Sequence, residues 1–421
     1  MDKQLLAHMA NRYGTPLYAY DGSMMEAQYN KLKNHLPEGF EVFYSVKSNP
    51  LLGICQYLRQ LGSRIEVASL GELHIAFQAG FDADDIIFTS PGKTREELEY
   101  AVRQRIYCIN VESVEEADRI DEIARSLGQI VRIAIRINPS FNISGAGMKM
   151  TGVPTQFGID QEHVGEAIQA IQSLSHVDLA GIHIFTGTQI LDAGNMVANM
   201  EAIIGLFLEL TENYSIRPDF LDLGGGFGVP YFAGEVPLDM NKLREGLAEV
   251  WTTYKDQLNG VRIGVESGRF LLAESGVFLT KVLYTKECKG SKYLVCDGGS
   301  NQHASSAFLG RYVRNNFPMY LLGKEGDARE EVNVVGSLCT PTDVMGQKVS
   351  LPPAEPGDIL VIDKSGAYGL THSPVLFLGH ALPAEVLHVD GAFHVLRERG
   401  KPEDLLRGQH PLQLESHLQG V

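Results

Sequence analysis

EVFYSVKSNPLLGICQYLRQLGSRIEVASLGEL, residues 41–73, decides the fold. Phe43, Tyr44 and Val46 form a β-prone apolar run that stops on Lys47, and Ser48-Asn49-Pro50 breaks it. LLGICQYLRQLG then carries apolar residues at helical spacing, and RIEVA (64–68) is a second short strand. A lysine at the end of such a strand has two readings. Most lysines are solvated loop residues. The other reading is an amine delivered to an enclosed site for covalent chemistry.

The same rhythm continues outward. DIIFTS (85–90), IYCINV (106–111), VRIAIRIN (131–138), LAGIHIF (179–185), FLDLG (220–224) and VRIGVES (261–267) follow as strands, with amphipathic stretches between them. Thr94 to Glu97 and Ser113 to Glu116 have the spacing of capping boxes. Eight strand–helix units predict an α/β fold, a (β/α)8 TIM barrel, with a doubly wound open sheet as the alternative. After residue 275 the pattern changes to strands separated by turns, as in GVFLTKVLY, KYLVCD, EVNVVGSL and DILVID. The expected division is a barrel over 24–275 and an all-β barrel domain built from 1–23 and 276–421. TPLYAYD supplies the strand that makes the second domain discontinuous.

A length of 421 residues exceeds one ordinary core, which agrees with two domains. The composition, 44% hydrophobic and 21% charged, is that of a soluble globular protein. The formal net charge of -16, without a basic cluster, argues against nucleic acid and anionic membrane as partners. MDKQLLAHMANRYG lacks the apolar core of a signal peptide, and no apolar run approaches a membrane span. Five scattered cysteines show no metal-ligand spacing, so the expectation is a cytoplasmic protein without a metal centre.

In a TIM barrel the active site lies at the carboxyl ends of the strands. The unusual residues of this chain cluster there: Lys47, Glu66, Ser90-Pro91-Gly92-Lys93, Arg136, His183, the run Gly224-Gly225-Gly226-Phe227-Gly228, and Glu266-Ser267-Gly268-Arg269. Each alone has a bland reading. A glycine run is often only a turn, and His183 could be a satisfied core histidine. Glu266 could be an ordinary surface carboxylate. In register with eight strand ends they describe one site. The glycines and Gly268-Arg269 suit a phosphate after strands 7 and 8, and His183 suits stacking on a flat ring. Together with a lysine and a buried carboxylate they describe pyridoxal 5'-phosphate.

FYSVKSNP, EVASLGEL, SPGK, RINP, GIHIF, LGGGFGVPY, ESGRFL, CDGG, LCTPTD and GAYG, in this order, resemble the fold-type III pyridoxal-phosphate decarboxylases, the group of diaminopimelate, ornithine and arginine decarboxylases. The resemblance spans nearly the whole chain and implies an alanine-racemase-like barrel with a C-terminal β domain. By it, Lys47 is the Schiff-base lysine and His183 the ring-stacking residue. Thr186 takes the place of a phosphate-binding serine. Gly224, Gly225, Gly226, Gly268, Arg269 and Tyr368 hold the phosphate, with Glu66 and Arg136 counted in the cofactor site. Glu266 pairs with the pyridine nitrogen and favours its charged form, which argues for decarboxylation over racemisation. Cys339 crosses from the partner subunit of a homodimer and protonates the product, and Asp343 touches substrate or the dimer contact.

The substrate positions depart from diaminopimelate decarboxylases. Thr340 follows the cysteine where they have a glutamate, Phe317-Pro318 replaces an Arg-Pro pair, and Gln156-Phe157-Gly158 replaces Lys-Phe-Gly. Losing these groups speaks against diaminopimelate, and free lysine or ornithine lacks an obvious acidic partner. MKMTGVPTQFG, HIFTGTQ, LGRYVRNNFPM and LCTPTD resemble the L-glutamyl-carrier-protein decarboxylases of butirosin biosynthesis. That resemblance implies a γ-glutamyl thioester on an acyl-carrier protein, with Arg311, Arg314 and His303 facing the entrance. A siderophore-type citryl-diaminopropionate decarboxylase is the alternative, with Arg311 and Arg314 meeting a polyanion. A racemase on the same fold and a non-catalytic homologue are the remaining readings.

Overall fold

The structure, a computed structural model, describes residues 1–141, 148–149, 154–308, 315–324, 326 and 328–412, with only the backbone of 148 and 149. Strand β1, Leu17–Asp21, comes first. Eight strands then follow: β2 Phe40–Ser45, β3 Arg64–Val67, β4 Ile86–Thr89, β5 Cys108–Val111, β6 Val131–Asn138, β7 Val177–His183, β8 Phe220–Asp222 and β9 Arg262–Ser267. They pair in parallel in the order β5-β4-β3-β2-β9-β8-β7-β6, and β5 also pairs with β6, so the sheet closes. These are the eight strands expected from the sequence, and the closed sheet excludes the open doubly wound alternative.

Side chains alternate along a strand, so each strand sends one set of residues outward to the helices and one inward. Val42, Tyr44, Ile65, Val67, Ile135, Ile182 and Leu221 join the large cluster shared with the helices. Phe43, Ile87, Cys108, Ala134 and Phe220 form a separate buried cluster that fills the barrel interior. Two residues further along each strand the inward side chain is polar. Ser45, Glu66, Thr89, Asn110, Arg136, His183, Asp222 and Glu266 come one from each strand, and all are buried. An apolar floor topped by a polar ring at the carboxyl end is what the barrel gives the site.

Helix ends follow local chemistry. Thr94 caps Arg95–Gln104 with the full capping box. Ser113 accepts from the Glu116 amide, but the Glu116 carboxylate accepts from the Glu112 amide and from Lys93 Nζ at 2.7 Å. The second box is therefore half formed, because Lys93 is buried and needs that carboxylate as its counter-ion. Among the described residues, Ala193–Tyr214 is the one helix long and apolar enough to cross a membrane; 50% of its apolar window is buried within the fold.

The strands that follow β9 form a second sheet. They are β10 Gly276–Cys288, β11 Ser291–Cys296, β12 Met319–Leu321, β13 Glu330–Val335, β14 Val344–Leu351, β15 Ile359–Ile362, β16 Ala384–Val389 and β17 Ala392–Arg397. Strand β1 lies inside this sheet, antiparallel to β10 and parallel to β16.

Candidate active site

Lys47 sits in a single helical turn, Val46–Ser48, directly after β2. Its Nζ is 3.1 and 3.2 Å from the two carboxylate oxygens of Glu66. Burial would lower the lysine, but Glu66 and Glu266 outweigh it and hold the ammonium above its ordinary range. The turn is pinned from the second sheet's side. The Tyr368 amide donates to the Ser48 carbonyl at 2.7 Å, and Asn49 Nδ2 donates to the Gly366 carbonyl and the Tyr20 hydroxyl, each at 3.1 Å.

Above Lys47 opens a cleft of about 490 Å³, lined by Arg136, Phe157, His183, Phe185, Thr188, Glu266, Arg269 and Tyr368 among others. One end narrows between Gly225, Gly226, Ser267, Gly268 and Arg269. Here glycine is required by contact: a Cβ on Gly225 would strike the Glu266 carbonyl, and Gly226, at φ +105, faces the Gly187 carbonyl. Arg269 lies 4.7 Å from the centre of the Tyr368 ring.

At the other end His183 and Glu266 meet, with His183 Nε2 3.3 Å from Glu266 Oε1. Burial, then the cations Arg136, Lys47 and Lys93, push His183 well below its ordinary value, so it is a neutral ring. Burial, then Glu66 and Asp222, push Glu266 well above the usual carboxylate range. Asp222 is pushed up to about 7, chiefly by burial. Arg136 is held by Glu112 at 2.7 Å, and Glu112 also accepts from the Gly158 amide. Its guanidinium lies 4.6 Å from the centre of the Phe157 ring.

The structure thus gathers Lys47, Glu66, Arg136, His183, Gly225, Gly226, Glu266, Gly268, Arg269 and Tyr368 around one cleft, with Gly224 beside them. Two expectations are changed, at Thr186 and His303. Thr186 is buried but does not line the cleft; Thr188 does. The GTQ triplet, whose Gln189 anchors to the Val229 backbone, sets that register. Asp343 is buried, and its oxygens accept from the Ser300 and Leu338 amides at 2.7 and 2.8 Å. It shapes the loop that carries Cys339 and does not face the cleft. His303 is neither a solvated nor an entrance residue. It is fully buried against Tyr18, Phe278 and Phe317, and its ring nitrogens meet the Ser306 and Ser365 hydroxyls at 2.8 Å. Cys339 is exposed and is not among the cleft residues of its own chain. Its neighbours Leu338 and Thr340 border a separate groove of about 520 Å³. Arg311 and Arg314 lie outside the described residues.

Asp222 and Phe185 escaped the sequence reading. Asp222 was detectable as the polar residue two positions after inward Phe220, the offset that also gives Glu266 after Gly264.

The cleft has the donors and acceptors that pyridoxal phosphate requires. Glu266 Oε1, both His183 ring nitrogens, Ser267 Oγ and Arg269 Nε are buried without a hydrogen-bond partner among the described residues. Such atoms call for a bound group. A ring nitrogen fits the carboxylate, a flat ring fits His183, and a phosphate fits the glycines and Arg269.

Comparison with known proteins agrees. Residues 23–273 match the sequence model of the family described as pyridoxal-dependent decarboxylase, pyridoxal binding domain. The chain is 41% identical over 423 aligned residues to the L-glutamyl-[BtrI acyl-carrier protein] decarboxylase of Niallia circulans, covering 99% of this chain and 98% of that one. It is 30% identical to the 2-[(L-alanin-3-ylcarbamoyl)methyl]-2-hydroxybutanedioate decarboxylase of Staphylococcus aureus, over 87% of this chain and 92% of that one. The solved diaminopimelate decarboxylase of M. jannaschii in complex with L-lysine superposes with a TM-score of 0.88 at 29% identity, covering 96% of this chain and 94% of that one. The chain belongs to the pyridoxal-dependent decarboxylases, enzymes that use pyridoxal 5'-phosphate.

Proposed function

We propose that this enzyme decarboxylates a γ-glutamyl group carried as a thioester on an acyl-carrier protein, releasing CO2 and leaving a γ-aminobutyryl thioester. One observation carries the reading: the full-length similarity to the Niallia circulans protein of that name, at 41% identity. The residues at the distal positions support it. Thr340 and Phe317 offer no charge to a second amino acid head, and Phe317 is buried against Tyr231 and His303.

When bound, pyridoxal phosphate supplies an electron sink for the electrons that CO2 leaves behind. Lys47 provides the amine for its attachment, and Glu66 holds that amine in place. Glu266 would pair with the ring nitrogen, His183 would stack on the ring, and Gly224, Gly225, Gly226, Gly268, Arg269, Thr188 and Tyr368 would hold the phosphate. Arg136, fixed by Glu112, would border the ring. Cys339 would return a proton to the α-carbon. Its exposure away from its own cleft supports a homodimer in which each subunit lends this cysteine to the other. The β1 pairing and the match over 23–273 support the division into a barrel at 24–275 and a β domain of 1–23 and 276–421. The five free cysteines support a cytoplasmic location.

Measuring CO2 from γ-glutamyl-carrier protein, free L-glutamate, L-lysine and diaminopimelate tests the reading. It requires turnover of the carrier-bound substrate, and turnover of free diaminopimelate alone would refute it. The Staphylococcus aureus relative makes citryl-diaminopropionate a fifth substrate to offer.

A further inference from the structure

Asp222 ends β8, fully buried near Glu266. Both side chains are buried. One ligand-type atom from each of Asp222, Glu266 and His183 falls within 4.8 Å of the others. Asp222 Oδ1 accepts from the Gly224 amide at 2.9 Å. Its Oδ2 and Glu266 Oε1 are both buried with no donor among the described residues. Two buried carboxyls this close do not both ionise, and a proton held between them would satisfy both.

We propose that Asp222 is a positioning residue that shares one proton with Glu266, so that the pair carries a single negative charge and aims it at the cofactor's ring nitrogen. The proposal rests on the reading of Glu266 as that nitrogen's partner. The proton remains within the pair and no bond to the cofactor is needed. The neighbouring charged groups act in both directions: Glu66 on β3 disfavours a second negative charge, while Lys47 after β2 and Arg136 on β6 favour one. His183 on β7 is neutral. The upward shift of both carboxyls has the same cause.

The same geometry ties this proton to the phosphate end. Asp222 Oδ1 fixes Gly224, the first glycine of the cradle, and the same carboxyl has an oxygen within 4.8 Å of one of Glu266. A single side chain thus sets the spacing between the two groups that grip opposite ends of the cofactor.

The test compares pyridoxal phosphate affinity of apo-enzyme, by absorbance titration, for the parent, Asp222→Asn, Asp222→Ala and Glu266→Gln. Asparagine keeps an acceptor for Gly224 and an N–H for Glu266, so Asp222→Asn should rescue what alanine loses. Asp222→Ala should bind about tenfold more weakly. Infrared spectra of the apo-protein near pH 7 should contain a protonated-carboxyl band that Asp222→Asn removes. Equal losses in the asparagine and alanine variants would mean that Asp222 acts through its own charge, and would overturn the proposal. So would parent-like binding by Asp222→Ala, or the absence of the infrared band. If the alanine variant does not fold, the band and the asparagine variant decide. An unchanged affinity in Glu266→Gln would instead remove the reading of Glu266 itself.

Discussion

The amide of Tyr368 donates a 2.7 Å hydrogen bond to the carbonyl of Ser48, the residue after Lys47. This bond joins the loop expected to hold the phosphate to the turn that presents the amine. Asn49 reinforces it by reaching Gly366 and Tyr20, and the Tyr20 hydroxyl passes on to Glu385 at 2.7 Å. Lysine and phosphate cradle are therefore positioned through one buried network.

Asn49→Ala should expose that dependence. It leaves the Gly366 carbonyl without this donor inside the protein, at a cost of about 1–3 kcal/mol. Urea unfolding should show the loss, and apo-enzyme should retain pyridoxal phosphate less well. Unchanged cofactor retention would mean that the network serves stability alone.

Shared sites make a prediction that a one-chain site does not. Lys47→Ala and Cys339→Ala homodimers should each be nearly inactive, the second with its cofactor band intact. Mixing them under exchange should restore about a quarter of parent turnover, because half of the dimers are hybrids and each hybrid has one intact site. No recovery on mixing would place lysine and cysteine in the same subunit's site.

Glu266→Gln keeps a hydrogen-bonding group but removes its charge. Turnover should fall about a hundredfold, with a smaller loss in cofactor affinity. A parent-like rate would show that the ring nitrogen does not depend on this carboxylate.

Asp222 also marks the stability of the apo-protein. Its folded value, about 7, lies above that of an unfolded aspartate, so the folded chain binds the extra proton between pH ~4 and ~7. Its contribution is therefore fully present at low pH and is lost as pH rises through that window. Denaturant midpoints across the window should fall less steeply in Asp222→Asn than in the parent. Identical slopes would show that Asp222 does not titrate there.

The barrel was legible because its strands are short buried apolar runs ended by Gly, Pro or polar residues, and Lys47 and Glu266 were legible because each ends such a run. What escaped the sequence depends on direction and partners. Thr186 and Thr188 are chemically alike, and only the path of the Gly187–Thr188 strand turns Thr188 to the cleft. His303 carries a reactive ring, yet serine hydroxyls occupy both of its nitrogens, one of them 62 residues away. Asp222 sits in FLDLG, where the following glycines draw attention from the aspartate that fixes the first of them.

The most direct measurement of the central claim is the intact mass of γ-glutamyl-carrier protein incubated with the holoenzyme. The account predicts that the carrier loses the mass of one CO2, and that Lys47→Ala leaves it unchanged. A carrier that keeps its mass, while free diaminopimelate or citryl-diaminopropionate releases CO2 with the same enzyme, would contradict it.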